Sequence, residues 1–224
     1  SRSLFATAQD EIRPVMGGIL FDLKADGLTV VATDGHKLVR NRILDVVAEE
    51  EPTSFILPQK PAQLLKGVLA KGEGDVVVRF AANSCEFKYD GGEFRCRLIE
   101  GRYPNYNSVI PSDSPYTASV DRAQLLNALR RVSVFASSGG QVKLELTADE
   151  IHLSSQNVDF STSADERLQC SYDGTDMVIS FNGENIIDVL NNIPGDTVLI
   201  KLIDPARAGL FVPAEQPEGE DLLV

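Results

Sequence analysis

The sequence predicts an α+β protein made of two tandem copies of one domain, and three observations support this fold class. Short segments that alternate apolar and polar residues indicate half-buried antiparallel strands, not the continuously apolar strands of a doubly wound parallel sheet. Amphipathic segments with helical periodicity separate these strands. When the chain is aligned with itself at an offset of 123 or 124 residues, strands fall on strands and a helix falls on a helix.

The composition is that of a globular protein. The chain has 224 residues, of which 43% are hydrophobic and 24% charged. This length can bury the core of one large domain or two ordinary ones. No segment approaches the roughly 20 apolar residues of a membrane helix, and the first residues lack a signal-peptide pattern. We therefore expect a cytoplasmic protein.

Cysteine and histidine spacing predicts neither a disulfide framework nor a metal or cofactor site. Cys85, Cys96 and Cys170 lack CxxC spacing, and His36 and His152 lie far apart. We interpret the thiols as small buried apolar groups.

The repeat begins with a β-hairpin. Residues 18–30 align with residues 141–153, and each copy has an alternating strand, a turn containing Ala-Asp and a second alternating strand. We expect two equivalent hairpins.

The segment 58–71 is predicted to be an amphipathic helix. Pro61 suits its first turn, and Lys60 points away from its apolar stripe. The stripe comprises Ala62, Leu65 and Leu69. The basic residues are Lys60, Lys66 and Lys71, and the segment contains no acidic residue.

A proline-rich segment separates the two copies. Pro104, Pro111 and Pro115 discourage regular structure before a strand that opens the second copy. We place the domains at residues 1–115 and 116–224. The first copy has no counterpart of that strand, so we expect the chain to be a fragment cut inside a domain.

The segment 122–135 is the clearest helix. Asp121 is placed to cap it, and Arg130 and Arg131 point away from its apolar stripe. The stripe comprises Leu125, Leu129, Val132 and Ala136. A further helix at 182–193 carries no basic residue and buries Ile186, Val189 and Ile193.

Charge is segregated along the chain. The net charge is −12, yet the two helices at 58–71 and 122–135 have only basic charges on their outer faces. Such a pattern favours one surface that offers positive charge to a polyanion, although a simply solvated helix face is the alternative.

Four groups of residues, spread over nearly the whole chain, carry a resemblance to a known family. They are Ile12-Arg13 with Gly18-Ile19-Leu20-Phe21, the ATDGHKL segment at 32–38, the GRYPNY segment at 101–106, and Ser180-Phe181-Asn182 with Asp188-Val189-Leu190. In these residues the chain resembles the bacterial sliding clamp, the beta subunit of DNA polymerase III. The resemblance covers the second and third domains of that family.

The resemblance implies a processivity factor for the replicative polymerase. Two chains of three similar domains would form a ring around duplex DNA, with helices lining the hole and sheets outside. It implies a non-enzymatic accessory subunit without a cofactor. Its partners would be DNA polymerase III alpha subunit, the clamp loader and other clamp-binding proteins. The intact protein would be a homodimer, whereas this fragment is expected to be monomeric or weakly associated.

The resemblance also implies three groups of site residues. A pocket for a short linear motif would include Met16, Thr33, Gly35, His36, Lys37, Leu38, Pro104 and Val109. DNA would face Arg13, Lys60, Arg102, Arg130 and Arg131, and the ring interface would include Val134 and Phe135. Because the chain ends before the family's final tail, we expect the pocket to be incomplete.

Two alternatives remain at this point. A hydrolytic enzyme domain would use His36 with Asp34, although we find no nucleotide-binding, nucleophile or metal pattern. A β-rich cell-surface binding module is opposed by the unpaired cysteines and the missing signal sequence. If the chain is not an enzyme, we expect Asp34-Gly35 to form a turn and His36 to be a hydrogen-bonded side chain.

Overall fold

Antiparallel strand pairs build the sheets of the computed structural model, which describes residues 1–9, 12–48, 51–70, 72 and 74–224. Lys71, in the predicted basic helix, lies outside the described residues. The chain divides into a first unit of residues 1–106 with 218–222 and a second unit of residues 107–217 with 223–224. The domain break expected after residue 115 stays a prediction.

The described residues of the first unit form one α-helix and eight strands. The strands are β1 (Gly18–Lys24), β2 (Gly27–Thr33), β3 (Leu38–Ile43), β4 (Thr53–Pro58), β5 (Val77–Ala81), β6 (Ser84–Tyr89) and β7 (Gly92–Arg97), and helix α1 spans Gln59–Leu69. The eighth strand comes from the end of the chain and is described below. Short 3-10 helices lie at Leu4–Ala6, Pro14–Gly17 and Tyr106–Ser108, the last at the boundary of the units.

The remaining elements belong to the second unit, except β15, whose residues 220–222 belong to the first. They are β8 (Tyr116–Asp121), α2 (Arg122–Ser133), β9 (Gln141–Leu146), β10 (Glu150–Asn157), β11 (Thr162–Tyr172), β12 (Met177–Asn182), α3 (Gly183–Asn192), β13 (Thr197–Leu202), β14 (Leu210–Pro213) and β15 (Glu220–Leu223). Seven of these strands form one sheet in the order β12-β9-β10-β11-β8-β13-β14.

Two sheets build the first unit. One has the order β15-β3-β2-β1-β4, and the other is the meander β5-β6-β7. The strand β15 arrives from the far end of the sequence and covers the outer edge of β3. Arg40 bonds to Asp221 (2.7 Å) and Asn41 to Glu220 (2.9 Å), so charge complementarity accompanies this long-range pairing.

Strand register confirms the predicted repeat. Phe21 pairs with Val30 in the first hairpin, and Leu144 pairs with Leu153 in the second, 123 residues later. Ile19 opposite Leu57 likewise recurs as Val142 opposite Phe181. A one-residue slip would turn every side chain to the other face of the sheet, so burial of the same positions preserves the register in both copies. The α+β prediction of two similar domains is confirmed.

Helix α2 follows its predicted pattern closely. The Asp121 carboxylate accepts a hydrogen bond from the Gln124 N–H (2.7 Å) and caps the first turn. Leu125, Leu129 and Val132 are fully buried. The helix ends at Ser133, so Ala136 lies in the following turn and not on the helical stripe.

Helices α1 and α3 occupy equivalent positions after β4 and β12. Helix α3 buries Ile186 and Val189, and Ile193 is buried immediately after it. Helix α1 buries Ala62 and Leu65, while Leu69 is only half-buried. Each helix begins directly after an edge strand, which sets both helices on the sheet in the same way.

Replacing Asp121 with alanine tests the importance of the α2 cap. We expect Asp121→Ala to lower the free energy of unfolding by about 1 kcal/mol, because the Gln124 N–H loses its acceptor. Urea denaturation followed by far-UV circular dichroism measures the change. Asp121→Asn keeps an acceptor at the same place and should remain close to wild type. An equal loss in both variants would contradict the capping role.

Candidate functional site

The turn between β2 and β3 is held by its own side chains. Thr33 Oγ1 donates to the Lys37 carbonyl (2.8 Å) and accepts from the Gly35 N–H (3.0 Å). The Asp34 carboxylate accepts from the N–H groups of His36 (2.8 Å) and Lys37 (2.9 Å). Because these polar groups are satisfied within the turn, its shape is set before any ligand binds.

Asp34 serves this turn as an ionised carboxylate. Burial by itself would raise the pKa of Asp34, but the N–H groups of Lys37 and His36 and the Lys37 ammonium outweigh burial and lower the pKa from its ordinary 3.8. The Lys37 Nζ lies 3.1 Å from Asp34 Oδ2. Both carboxylate oxygens are therefore used in the turn, which is the role of a turn residue and not of a general base.

Met16 and Arg13 pack beside Gly35. Gly35 has a positive φ of 89°, which favours glycine. A Cβ there would clash with Arg13 Nη1 and would lie 3.8 Å from Met16 Cε. The structure thus joins two predicted pocket residues, Met16 and Gly35. It also places Arg13, predicted to face DNA, against the same turn.

Tyr103 connects the GRYPNY segment to this turn. Its hydroxyl accepts a hydrogen bond from the buried Thr33 N–H (3.1 Å). Burial raises the pKa of Tyr103 to about 12, although the Thr33 N–H acts in the opposite direction. Leu38 packs against the apolar cluster around the tyrosine ring. The buried members of this cluster are Leu20, Val31, Ile56 and Tyr103.

Three further predicted pocket residues, His36, Pro104 and Val109, are more exposed than Leu38. His36 is exposed within the turn, and Pro104 is exposed directly after Tyr103. Val109 belongs to the second unit, where its side chain is 63% exposed. Pro104 was predicted from the sequence but Tyr103 was not, and the only sign of that tyrosine was its position inside the GRYPNY segment.

The first unit also contains a cavity of about 900 Å³ that was not predicted from the sequence. It lies along β4, and its lining includes Phe55, Phe80, Arg102, Pro104 and Tyr106. The lining residues come from four separate stretches of sequence, so no local pattern could predict the cavity.

The predicted DNA-facing residues differ in their surroundings. Lys60 is exposed in the first turn of α1, and Arg102 is exposed beside the cavity. Arg130, exposed on α2, donates to Asn191 Oδ1 (3.1 Å). Arg131 forms a two-bond ion pair with Glu166 of β11, at 2.5 and 2.6 Å.

The ion pair of Arg131 alters the charge that α2 presents. Hydrogen bonding to Arg131 lowers the pKa of Glu166, and the same bond raises the pKa of Arg131. Both groups therefore stay charged near neutral pH, and the carboxylate offsets part of the positive charge of the helix. The sequence did not predict this ion pair, because Arg131 and Glu166 are 35 positions apart.

Val134 and Phe135, the predicted ring-interface residues, follow α2 and are 76% and 38% exposed. The nearby strand β11 pairs with β10 along one edge, from Thr162 to Gln169. On the other edge, β8 pairs only with Cys170–Tyr172. Within the described residues, the first part of that second edge has no strand partner.

No cluster of three or more His, Cys, Asp and Glu side chains among the described residues is arranged to hold a metal ion. No helix within the described parts of the chain is long and apolar enough to cross a membrane. His152 lies 3.2 Å from carboxylates of both Glu145 and Asp165 on the sheet of the second unit.

Two family models match the chain over almost its whole length. The model for the central domain of the DNA polymerase III beta subunit matches residues 1–105, and the model for the C-terminal domain of the same subunit matches residues 107–223. The ATDGHKL segment and all of the GRYPNY segment except Tyr106 fall within the central-domain match.

Similar proteins include the beta sliding clamps of Staphylococcus aureus and Lactococcus lactis. The first is 30% identical over 220 residues, which are 97% of this chain and 57% of the relative. The second is 29% identical over 224 residues, which are 98% of this chain and 59% of the relative. The chain therefore spans somewhat more than half the length of these relatives.

Solved structures give the same comparison. The DNA polymerase III subunit beta of Pseudomonas aeruginosa superposes with a TM-score of 0.93 at 25% identity, covering 100% of this chain and 61% of that chain. A sliding clamp of Bartonella birtlesii bound to griselimycin superposes with a TM-score of 0.90 at 26% identity, covering 99% of this chain and 60% of that one.

Replacing Tyr103 with phenylalanine tests the bond that connects the two segments. We expect Tyr103→Phe to lower the free energy of unfolding by about 1–3 kcal/mol, because the buried Thr33 N–H loses its acceptor. Urea denaturation at neutral pH measures this. Tyr89→Phe is a matched control, since the Tyr89 hydroxyl makes no hydrogen bond with any part of the chain that the structure describes.

An alkaline series gives a second readout of the same variant. The Tyr103 hydroxyl ionises near pH 10 in the unfolded chain and near pH 12 in the folded one. Its contribution to stability is therefore complete below pH 10 and is lost as the pH rises towards 12. Tyr103→Phe should lose less stability over this interval than wild type. Indistinguishable behaviour of the Tyr103 and Tyr89 variants would contradict the assignment.

Proposed function

The chain belongs to the DNA polymerase III beta-subunit family, and from that membership we propose that it works as part of a sliding clamp. In this role it is a processivity factor for the replicative polymerase and performs no chemistry of its own. The intact protein would encircle duplex DNA in the cytoplasm as a homodimeric ring. DNA polymerase III alpha subunit, the clamp loader and other clamp-binding proteins would attach to it by short linear motifs.

The observation that carries this proposal is the ordered turn beside Met16 and Leu38. Linear motifs bind apolar pockets whose few polar groups orient the peptide. The turn is hydrogen-bonded internally, and Leu38 rests on the cluster around Tyr103. Such a preformed surface reduces the ordering that binding requires, which favours modest but rapidly exchanging affinity.

The proposed pocket would comprise Met16, Thr33, Gly35, His36, Lys37, Leu38, Pro104 and Val109. Met16, Leu38 and Val109 would receive leucine and phenylalanine side chains of the motif. Thr33 and the 34–37 backbone would set the polar rim. These roles follow from the family resemblance, and the contacts of the turn support them in the first unit.

Peptide binding provides the direct test. We expect a labelled peptide of Gln-Leu-Phe type to bind the chain saturably in a fluorescence-anisotropy titration. Leu38→Asp should weaken binding at least about tenfold, because a charge would be buried where an apolar side chain docks. The affinity ratio of variant to wild type is the measured quantity.

Leu64→Asp is the matched control for that titration. Leu64 lies on α1 and is 62% exposed, so the same substitution there changes the charge without touching the pocket. Binding that responds equally to both substitutions would argue against the pocket. Circular dichroism of each variant separates loss of binding from loss of folding.

The second part of the proposal concerns DNA. A protein that slides must contact phosphates without reading bases, and lysine and arginine provide such contacts. Lys60 and Arg102 are exposed and suited to this role. Arg130 and Arg131 would add to it from α2, the latter with its charge partly offset by Glu166. Arg13 would reach phosphate only beside the turn that it packs against.

A salt series tests the DNA-facing residues. We expect the double variant Lys60→Ala/Arg102→Ala to weaken binding to short duplexes of any sequence. The slope of log affinity against log salt should fall in magnitude by about 2, one unit for each lost phosphate contact. Anisotropy titrations with two unrelated duplexes measure both quantities.

Lys143→Ala/Arg207→Ala is the control for the salt series, since it removes the same charge from two exposed cations of the second unit. Lys143 pairs with Glu145 and Arg207 with Asp204. If this control reduces affinity and slope as much as the test variant does, the assignment of Lys60 and Arg102 is wrong and only net charge matters.

The ring interface completes the proposal. In the intact protein, Val134 and Phe135 would pack against a partner chain. The uncovered edge of β11 supports this placement, because an unpaired edge is a ready template for another strand. For the 224-residue chain alone we propose a monomeric or weakly associated state.

The comparisons give no support to a hydrolytic domain based on His36 and Asp34. The Asp34 carboxylate accepts hydrogen bonds from two backbone N–H groups and forms an ion pair with the Lys37 ammonium. This arrangement explains the residue as part of a turn.

A further inference from the structure

Two cysteines face each other across a hairpin of the first unit. Strands β6 and β7 pair antiparallel, and their register sets Cys85 directly opposite Cys96. Both thiols are reduced in this structure, with Cys85 buried and Cys96 half-buried. Directly opposed residues project to the same face of a sheet, so the two thiols are neighbours.

The backbone spacing suits a disulfide. Opposed Cα atoms in antiparallel strands lie about 4.5 to 5.5 Å apart. Disulfides span Cα distances of about 4.4 to 6.8 Å. Bond formation therefore requires rotation of side chains and no separation of the strands. Burial and, next, the nearby Cys96 raise the pKa of Cys85 to about 11, which is a second sign that the sulfur atoms are close.

The setting of the pair is apolar. Phe87 and Phe94 lie opposite each other two residues closer to the turn, with ring centroids 6.3 Å apart on the same face as the cysteines. Glu86 and Arg95 form an ion pair on the other face (2.7 Å). Burial also raises the pKa of Cys96. Reaction of either thiol should therefore be slow at neutral pH and faster in alkali.

We propose that Cys85 and Cys96 form a dithiol modification site that reacts with low-molecular-weight disulfides, such as oxidised glutathione, and closes to a cross-strand disulfide.

The reaction balances in two exchange steps. The more accessible Cys96 loses its proton to solvent, and its thiolate attacks oxidised glutathione. A mixed disulfide forms and one glutathione thiolate leaves and takes up a proton. The Cys85 thiolate then attacks the Cys96 sulfur, and the second glutathione leaves. The two cysteines are oxidised by two electrons, and one oxidised glutathione is reduced to two thiols.

The disulfide would secure the open end of the hairpin. The next pair is Ser84 opposite Arg97, and the Leu98 N–H donates to the Asn83 carbonyl (3.0 Å). From there the chain continues to Tyr103, which bonds to the Thr33 N–H. Oxidation therefore restrains the strand that leads into the GRYPNY segment. We expect slower amide hydrogen exchange in β6 and β7 of the oxidised protein.

Thiol counting with peptide mapping tests the proposal. The folded chain is incubated with excess oxidised glutathione at pH 7 and pH 9, and free thiols are then alkylated. We expect Cys85 and Cys96 to lose their free thiols without a gain in mass from glutathione at the pair, and we expect a peptide that joins Cys85 to Cys96. The rate should rise about tenfold per pH unit below the pKa of the attacking thiol.

Cys170 is the internal control, because it lies in the second unit opposite Val120 and has no facing cysteine. Cys170→Ser should leave bond formation unchanged, whereas Cys85→Ser should retain a stable glutathione adduct on Cys96. Three outcomes overturn the proposal: separate adducts on Cys85 and Cys96, no reaction of the pair at pH 9, or a bond that forms no faster in the folded chain than in urea.

Discussion

The hydrogen bond from the Thr33 N–H to the Tyr103 hydroxyl joins the two segments on which the candidate pocket depends. Thr33 ends β2, and Tyr103 lies 70 residues later in a segment without regular structure. Because both groups are buried, separating them would leave a polar group unsatisfied at a cost of about 1–3 kcal/mol. The bond therefore favours one position of the GRYPNY segment, and Pro104 and Leu38 take their places from it.

Contacts between distant residues also determine the charge that the surface of α2 presents. The chain is strongly acidic, yet α2 carries arginines on its outer face. Arg131 binds Glu166 through two hydrogen bonds, so the positive field of α2 is weaker than its own sequence indicates. Lys60 and Arg102 keep exposed positions in the first unit. The proposed sliding role would need weak, sequence-independent contacts, and a partly compensated basic surface suits that proposal.

The sequence predicted the features that local physics controls. Period-2 alternation located both hairpins, and the 123-residue offset anticipated their shared register. The cap at Asp121 and the buried face of α2 followed from helical periodicity. Contacts between distant residues were not predictable, because nothing in a local pattern pairs Tyr103 with Thr33 or Arg131 with Glu166. The residues of the candidate pocket were identified from the family resemblance. The contacts that order the pocket are visible only in the structure.

Both copies of the repeat contain a turn that is capped by a side chain. In the first unit, Asp34 caps the N–H groups of His36 and Lys37. In the second, 123 residues later, Asn157 caps the N–H groups of Asp159 and Phe160 at 3.1 and 3.3 Å. A turn capped by an Asx side chain thus occurs in both copies, but its position differs by one residue: Asp34 follows the last pair of its hairpin, Thr33 with Leu38, whereas Asn157 belongs to the last pair of its own, with Thr162.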